Sequence, residues 1–256
     1  MYDITKLISQ EQFDQLLLLL PTPRQMEQGR PRCKKEPLIN GILQVLINDI
    51  PWKKIADCGC SPSSCHRYFQ ELQRRGDLKL IFRILSKQKT NIMECAIDTD
   101  STTSFRFRNG TGWDGKHKKI STKISLLSDV NGLPADVEID KGNKHDLRFV
   151  PDHIENTAGT RRRTINADKI YTSADMRRTL RSKGIQLNIE PRRGDYVRKR
   201  GPKFKFDRDK YKVRFKVERC FAWLENFRRL RLRREYHLAM FKAFVYLALI
   251  IILIRN

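Results

Sequence analysis

Acidic residues at three places along the chain have surroundings that suit chemistry. Asp98 and Asp100 lie in residues 93–107 (MECAIDTDSTTSFRF), whose alternation and β-branched residues predict a strand, so both carboxylates share one face. Aspartate is disfavoured in strands, and two on one face repel; a cation would remove the conflict. Asp168 follows a short predicted strand, Thr164–Ala167, at its carboxyl end. Glu218 lies in residues 211–234 (YKVRFKVERCFAWLENFRRLRLRR), which reads as one helix. There Tyr211, Arg214, Glu218 and Glu225 fall at spacings of three, four and seven, near one face. Carboxylate oxygens suit Mg²⁺ or Mn²⁺. Two such ions can activate an attacking oxygen and stabilise a leaving one in phosphodiester chemistry. The competing reading makes Glu218 a surface partner of Arg214 or Arg219, a pairing that contributes little.

The elements that would hold these acids are strands, then a strand–helix unit, then a late helix, which implies an α/β (α+β) core. Residues 122–139 (TKISLLSDVNGLPADVEI) hold two strands around Asn131-Gly132, a hairpin signal. The preceding segment NGTGWDGKHKK reads as a basic loop, and KGNKHD, with His145 and Asp146, as a polar loop at the site's edge. Ser173 caps a helix that Gly184 ends, and QLNIEP is a further short strand.

The first part of the chain is helical. Residues 3–20 carry an apolar face of Leu7, Ile8, Phe13, Leu16, Leu17 and Leu20, ended by Pro21 and Pro23. After the basic linker GRPRCKK, residues 37–85 form a small helical unit. In it a short helix from Pro51-Trp52, a turn, and a second helix capped by Ser61 or Ser63 and stopped by Gly76 fit a helix-turn-helix. The second helix presents Arg67 and Arg74, among other polar residues, to a DNA groove. Cys58, Cys60, Cys65 and His66 do not match common zinc-ligand spacings, and the cysteines read as buried thiols. The division expected is 1–88 for the helical DNA-binding region and 89–256 for the catalytic domain.

Charge points the same way. The 256 residues carry a formal net charge of +23, which calls for a polyanionic partner, most commonly nucleic acid. Between Pro191 and Glu235 there are 18 Lys or Arg against 6 acids, interleaved with aromatic residues. The start, MYDITKL, is not a signal peptide. The apolar run Ala243–Ile254 falls short of the roughly 20 residues a spanning helix needs and reads as a buried terminal helix, not a membrane segment. Six cysteines without a pairing pattern suit a reducing, cytoplasmic setting.

In this order the motifs resemble insertion-sequence transposases of the DDE class, in particular insertion-sequence family five. GRPRCKKEPLINGILQVLINDIPWKKIADCGCSPSSCHRYFQ is similar to their N-terminal DNA-binding region. DSTTSFR, TKISLLSDVNGLPADVEIDKGNKHD, NADKIYTS and YKVRFKVERCFAWLENFRRL resemble their catalytic core, so the likeness spans about residues 29–253. The resemblance implies an RNase H-like fold and an Asp-Asp-Glu triad of Asp100, Asp168 and Glu218 holding Mg²⁺ or Mn²⁺, two ions in all. Asp98 is the alternative first acid: the D-S-T pattern selects Asp100, while the preceding Ala96-Ile97 favours Asp98. It further implies metal-dependent cleavage of double-stranded DNA at element ends, strand transfer into target DNA, and at least a homodimer on DNA in a prokaryotic cytoplasm. The alternative is a catalytically idle, transposase-derived DNA-binding protein. Tyr211 and Arg214 match the Tyr-x2-Arg-x3-Glu signature. The Lys usually found seven residues after the Glu is Glu225 here, which hands that DNA contact to Arg228 or Arg229.

Overall fold

The computed structural model describes residues 7–25, 31–158, 162–191 and 206–256. The segment 192–205, which carries much of the late basic block, and residues 3–6 and 29–30 of the expected helix and linker lie outside them. The chain packs as two units. The first is residues 1–85, 102–111 and 223–256; the second is residues 86–101 and 112–222. Residues 223–256, grouped with the catalytic domain in the sequence reading, thus pack in the first unit.

In the first unit, helix α1 (Gln10–Leu19) opens with a capping box: Gln12 N donates to Ser9 Oγ, and Ser9 N donates to Gln12 Oε1. Helix α2 (Lys35–Asn48) is followed by a 3-10 turn, Trp52–Lys54, where the sequence suggests a short helix from Pro51-Trp52. Helix α3 (Pro62–Arg75) has Ser61 as N-cap and Pro62 in its first turn, and Gly76 closes it at φ +74°. The chain re-enters a helix at once, α4 (Asp77–Lys89), which begins inside the helical unit expected over 37–85 and runs past its end.

The core of this unit is the terminal helix α10 (Leu238–Arg255). Its 18 residues are long and apolar enough to cross a membrane, yet from Phe241 to Ile254 every residue except Lys242 is buried. A helix apolar on all sides is a core helix when protein covers it. Here Phe244 stacks 4.3 Å from Phe69 and 5.9 Å from Trp52, and Tyr246 lies 5.7 Å from Phe82.

The cysteines differ from expectation. Cys33 and Cys60 are joined as a disulfide across 27 residues, with Cα atoms 6.3 Å apart, so the set is not free of pairing. Cys58 and Cys65 are buried thiols 4.0 Å apart. Burial and the neighbouring Cys58 push the Cys65 thiol up to about 12, which keeps it neutral.

The second unit is built on a sheet. Strands β1 (Glu94–Ser104), β5 (Arg163–Ala167) and β6 (Ile185–Asn188) run parallel in that order. Strand β3 (Lys119–Asp129) flanks β1 on the other side. Its outer edge pairs antiparallel with β4 (Pro134–Lys141), forming the expected hairpin, and with β2 (Gly112–Asp114), a short strand inside the segment read as loop. Helices α5 (Val150–Asn156) and α6 (Ala174–Ser182, capped by Ser173) follow. Cys95, Ile97, Leu127, Val150, Ile154, Ile165, Ala167, Tyr171, Leu180 and Leu187 form one apolar core.

Candidate active site

Residues 211–234 are not one helix. They form α7 (Arg208–Tyr211), α8 (Arg214–Glu225), α9 (Arg228–Arg231) and a two-residue strand β7 (Leu232–Arg233). The spacing survived the breaks because each is a single tight turn. Phe215 N bonds to Lys212 O at the first, and Phe227 N to Leu224 O at the second. In α8, Val217, Cys220 and Leu224 are buried at helical spacing, which turns Arg214 and Glu218 to a shared outer face. The hairpin turn seats this helix. Gly132, at φ +84°, leaves only 2.8 Å between an added Cβ and the Lys216 carbonyl oxygen. Asp129 fixes the turn by accepting the Asn131 and Leu133 amides at 2.9 Å each.

Arg214 is the centre of the site. Its guanidinium lies 3.8 Å from Asp98, 3.9 Å from Asp168 and 3.6 Å from Glu218. The three acids come from β1, the end of β5 and α8. The Arg214 side chain is 17% exposed and that of Asp98 25%, against 46% for Asp168 and 56% for Glu218, so the cluster opens outward from Asp98. Burial raises the Asp98 carboxyl above the usual range; the Thr99 amide and Arg214 oppose this, and Asp168 and Asp146 add to it. Asp168 also caps the 3-10 turn Lys169–Tyr171, accepting the Lys169 amide at 2.6 Å.

Asp100 stands apart. It is exposed and its carboxylate takes its own neighbour's amide, Ser101 N, at 2.7 Å. Asp98 and Asp100 do share a strand, as expected, but the ion pairs gather Asp98. Tyr211 lies beside the site, half-buried and edge-on to Phe206 at 5.2 Å; burial and the nearby Asp168 and Glu190 raise its phenol.

The basic residues divide. Arg67 and Arg74 are exposed on α3, and Arg228 is exposed at the start of α9. Arg229, expected to face DNA, is instead buried: it bonds Glu235 at 2.7 Å and Asp49 at 2.9 Å. A guanidinium held by two carboxylates in a protein interior is a structural tie, and that expectation is corrected.

Two features escaped sequence reasoning. Lys123 is bound to Asp146 at 2.6 Å, and Asp146 is one of the acids that raise Asp98. Buried His153 bonds Asp136 at 2.7 Å and Ser125 at 2.9 Å. That constellation has the residue types of a hydrolase triad, but all three side chains are enclosed and it acts as an internal tie. No local spacing announces it, since its members lie on three elements.

Among the described residues no three His, Cys, Asp or Glu side chains stand gathered so that they hold a metal ion as placed. At Asp98, Asp168 and Glu218 the Arg214 guanidinium takes the central position. The donor set itself, three hard carboxylates around one cationic centre, fits Mg²⁺ or Mn²⁺.

The strand order β4-β3-β1-β5-β6, with β4 and β3 antiparallel and β1, β5 and β6 parallel, one acid within β1 and one just past the end of β5, defines an RNase H-like domain. Residues 92–253 match the family described as "Transposase DDE domain", and residues 8–82 match "Putative transposase of IS4/5 family". The chain belongs to the DDE transposase family, with an N-terminal region of the IS4/5 type. It is 33% identical over 133 residues to "Putative transposase for insertion sequence element IS402" of Burkholderia cepacia, a match covering 48% of this chain and 58% of that relative. The chain thus matches little over half the length of that curated relative. A solved synaptic complex of piggyBac transposase with hairpin DNA shares the fold at TM-score 0.51 and 12% identity, over 98% of this chain and 73% of that one. A Mos1 transposase paired-end complex is more distant, at TM-score 0.27 and 10% identity over 78% and 81% of the two chains.

Proposed function

We propose that this chain is an insertion-sequence transposase that binds the ends of its element and catalyses DNA strand cleavage and strand transfer. The observation that carries this reading is the convergence of Asp98, Asp168 and Glu218 on Arg214. These three acids would hold the divalent ions. Bound there, Mg²⁺ or Mn²⁺ supplies activation of the attacking oxygen and stabilisation of the leaving one. Asp98 is the first acid in preference to Asp100, because it is the one that shares a counter-ion with the other two.

The chain's own residues supply the rest. Arg214 neutralises the acids as placed, and with ions held there its guanidinium would be released to meet a backbone phosphate. Tyr211 flanks Asp168 and orients the strand being cut. Arg228, Arg67 and Arg74 provide phosphate contacts, the electrostatic part of DNA affinity. Because two element ends must be joined, the working form is at least a dimer on DNA. The expected setting is the prokaryotic cytoplasm, at the nucleoid.

The test is cleavage of a labelled duplex carrying the flanking element's end, with Mg²⁺ or with EDTA. Metal-dependent nicking at the element boundary supports the proposal. Binding without cleavage under Mg²⁺ or Mn²⁺ assigns the chain to the idle, transposase-derived DNA binders.

A further inference from the structure

The segment that follows β1 alternates aromatic and cationic residues: Phe105, Arg106, Phe107, Arg108. Phe105 is 66% exposed and Phe107 68%, among the most exposed large apolar side chains described. A single exposed Phe is ordinary. Two of them separated and followed by arginine form a surface of a different kind.

The segment is held firmly from both sides within the first unit. Before it, Thr103 and Ser104 pair in parallel with Leu232 and Arg233 of β7. After it, the fully buried Arg233 donates to the carbonyls of Asn109 and Gly110, and also to those of Glu235 and Tyr236. Leu238 N donates to Asn109 Oδ1 at 3.3 Å, and Thr111 closes a turn back onto Arg108. Gly110, at φ +74°, lets the Leu238 side chain approach within 2.6 Å of where a Cβ would stand. Two rings are therefore presented to solvent on a braced segment.

The charges beside them call for an anion. Arg108 stands close enough to Arg233 to lower its pKa; with burial as the larger cause and Glu235 opposing, Arg233 falls to about 10. The Nε of Arg108 is buried without a hydrogen-bond partner. Arg106 is exposed and Arg108 half-buried beside the rings, so it is their charge at the surface that a phosphate would meet. Exposed aromatic faces interleaved with arginine match an unpaired nucleic-acid strand, whose bases stack on the rings while its phosphates meet the cations. The bases of an intact duplex keep their faces inside the stack and cannot use the rings.

We propose that Phe105–Arg108 is a binding platform for single-stranded DNA, with Phe105 and Phe107 stacking on unpaired bases and Arg106 and Arg108 taking adjacent phosphates. This rests on the transposase reading above and gives it a place to hold a strand that has left its duplex.

The experiment uses the full chain in EDTA and measures anisotropy of a labelled oligothymidine of about 15 nucleotides, the scale of one such site. A duplex of the same length serves as comparison. Wild type binds the oligothymidine, and the Phe105→Ala/Phe107→Ala double variant binds it about tenfold or more weakly, as expected for loss of stacking. Its duplex affinity stays within about twofold, an effect far below that of stacking. Phe105→Trp/Phe107→Trp restores binding, whereas Phe105→Leu/Phe107→Leu, which keeps bulk without an aromatic face, does not. Equal single-strand affinity in the wild type and the Leu variant overturns the proposal. So does a loss of self-association in the Ala variant with single-strand binding unchanged, which would make the patch a contact between copies. Failure of the transposase reading appears separately, as absence of metal-dependent duplex cleavage by wild type.

Discussion

Asp98, within β1, and Asp168, just past the end of β5, stand at the same level of two neighbouring parallel strands. The β1–β5 register pairs Ala96 with Asn166 and Ile97 with Ala167, so the next residue of each strand is one of these acids. Arg214 reaches both from α8, at 3.8 and 3.9 Å. Two carboxylates held level by a hydrogen-bonded ladder keep their spacing without help from a loop, which is the preorganisation an ion-binding pair requires.

On the proposed reading, Arg214 and a divalent ion compete for the same charges. Replacing Arg214 with Gln removes the counter-cation, so in EDTA the variant melts lower than wild type, by about 1 kcal/mol of stability given that Asp168 and Glu218 are half exposed. Added Mn²⁺ then raises its melting temperature more than it raises that of wild type. Thermal shift with and without Mn²⁺ checks this; equal metal-induced shifts in the two proteins would contradict it.

Gly132 links the hairpin to the helix that carries Glu218. Gly132→Ala places a Cβ 2.8 Å from the Lys216 carbonyl at φ +84°, and should cost about 1–2 kcal/mol. Cleavage should fall by more than the unfolded fraction explains, because α8 shifts away from Asp98 and Asp168. Denaturation and cleavage rates on the same preparation measure both effects.

The buried His153 ties β3, β4 and α5 together through Ser125 and Asp136. His153→Ala leaves the Asp136 carboxylate enclosed, with Asn156 as its remaining described side-chain hydrogen-bond partner and Arg163 as a nearby charge, and should destabilise the chain by about 2–4 kcal/mol. Urea denaturation measures the loss, and a cost below about 0.5 kcal/mol, the scale of a plain surface change, would refute the tie.

Asp114 gives a pH signature. Burial alone would raise its carboxyl, but hydrogen bonds from His117 and Ser101 outweigh that and hold it at about 2. A depressed folded-state value means that the stabilisation is complete above the unfolded value near 3.8 and is lost as pH falls toward 2. The gap in stability between wild type and Asp114→Asn should be about 2 kcal/mol at neutral pH and shrink between pH about 4 and about 2. A gap independent of pH over that window would contradict the assignment.

Much of this was readable from local pattern. The apolar run before Asp168, the Asn131-Gly132 turn, the Ser61, Ser173 and Gly76 caps, and the burial of Ala243–Ile254 all depend on near neighbours. The different placement of Asp98 and Asp100 was not readable in this way. A period of two puts both on one face, and only the register with β5 and the reach of Arg214 separate them. Arg229 misled for a similar reason: a run of arginines reads as surface, while its partner Asp49 lies 180 residues away. The breaks around α8 were hidden because one tight turn preserves a helical spacing nearly intact.

The most direct test is metal-dependent cleavage of the element-end duplex by wild type and by Asp98→Ala, Asp100→Ala, Asp168→Ala and Glu218→Ala, with duplex binding measured alongside. Loss of Asp98, Asp168 or Glu218 should lower cleavage by a factor on the order of 10²–10³ or more while binding persists, and Asp100→Ala should cut within a few-fold of wild type, on the scale of removing preorganised charge stabilisation. Cleavage retained by Asp98→Ala and lost by Asp100→Ala would contradict the site.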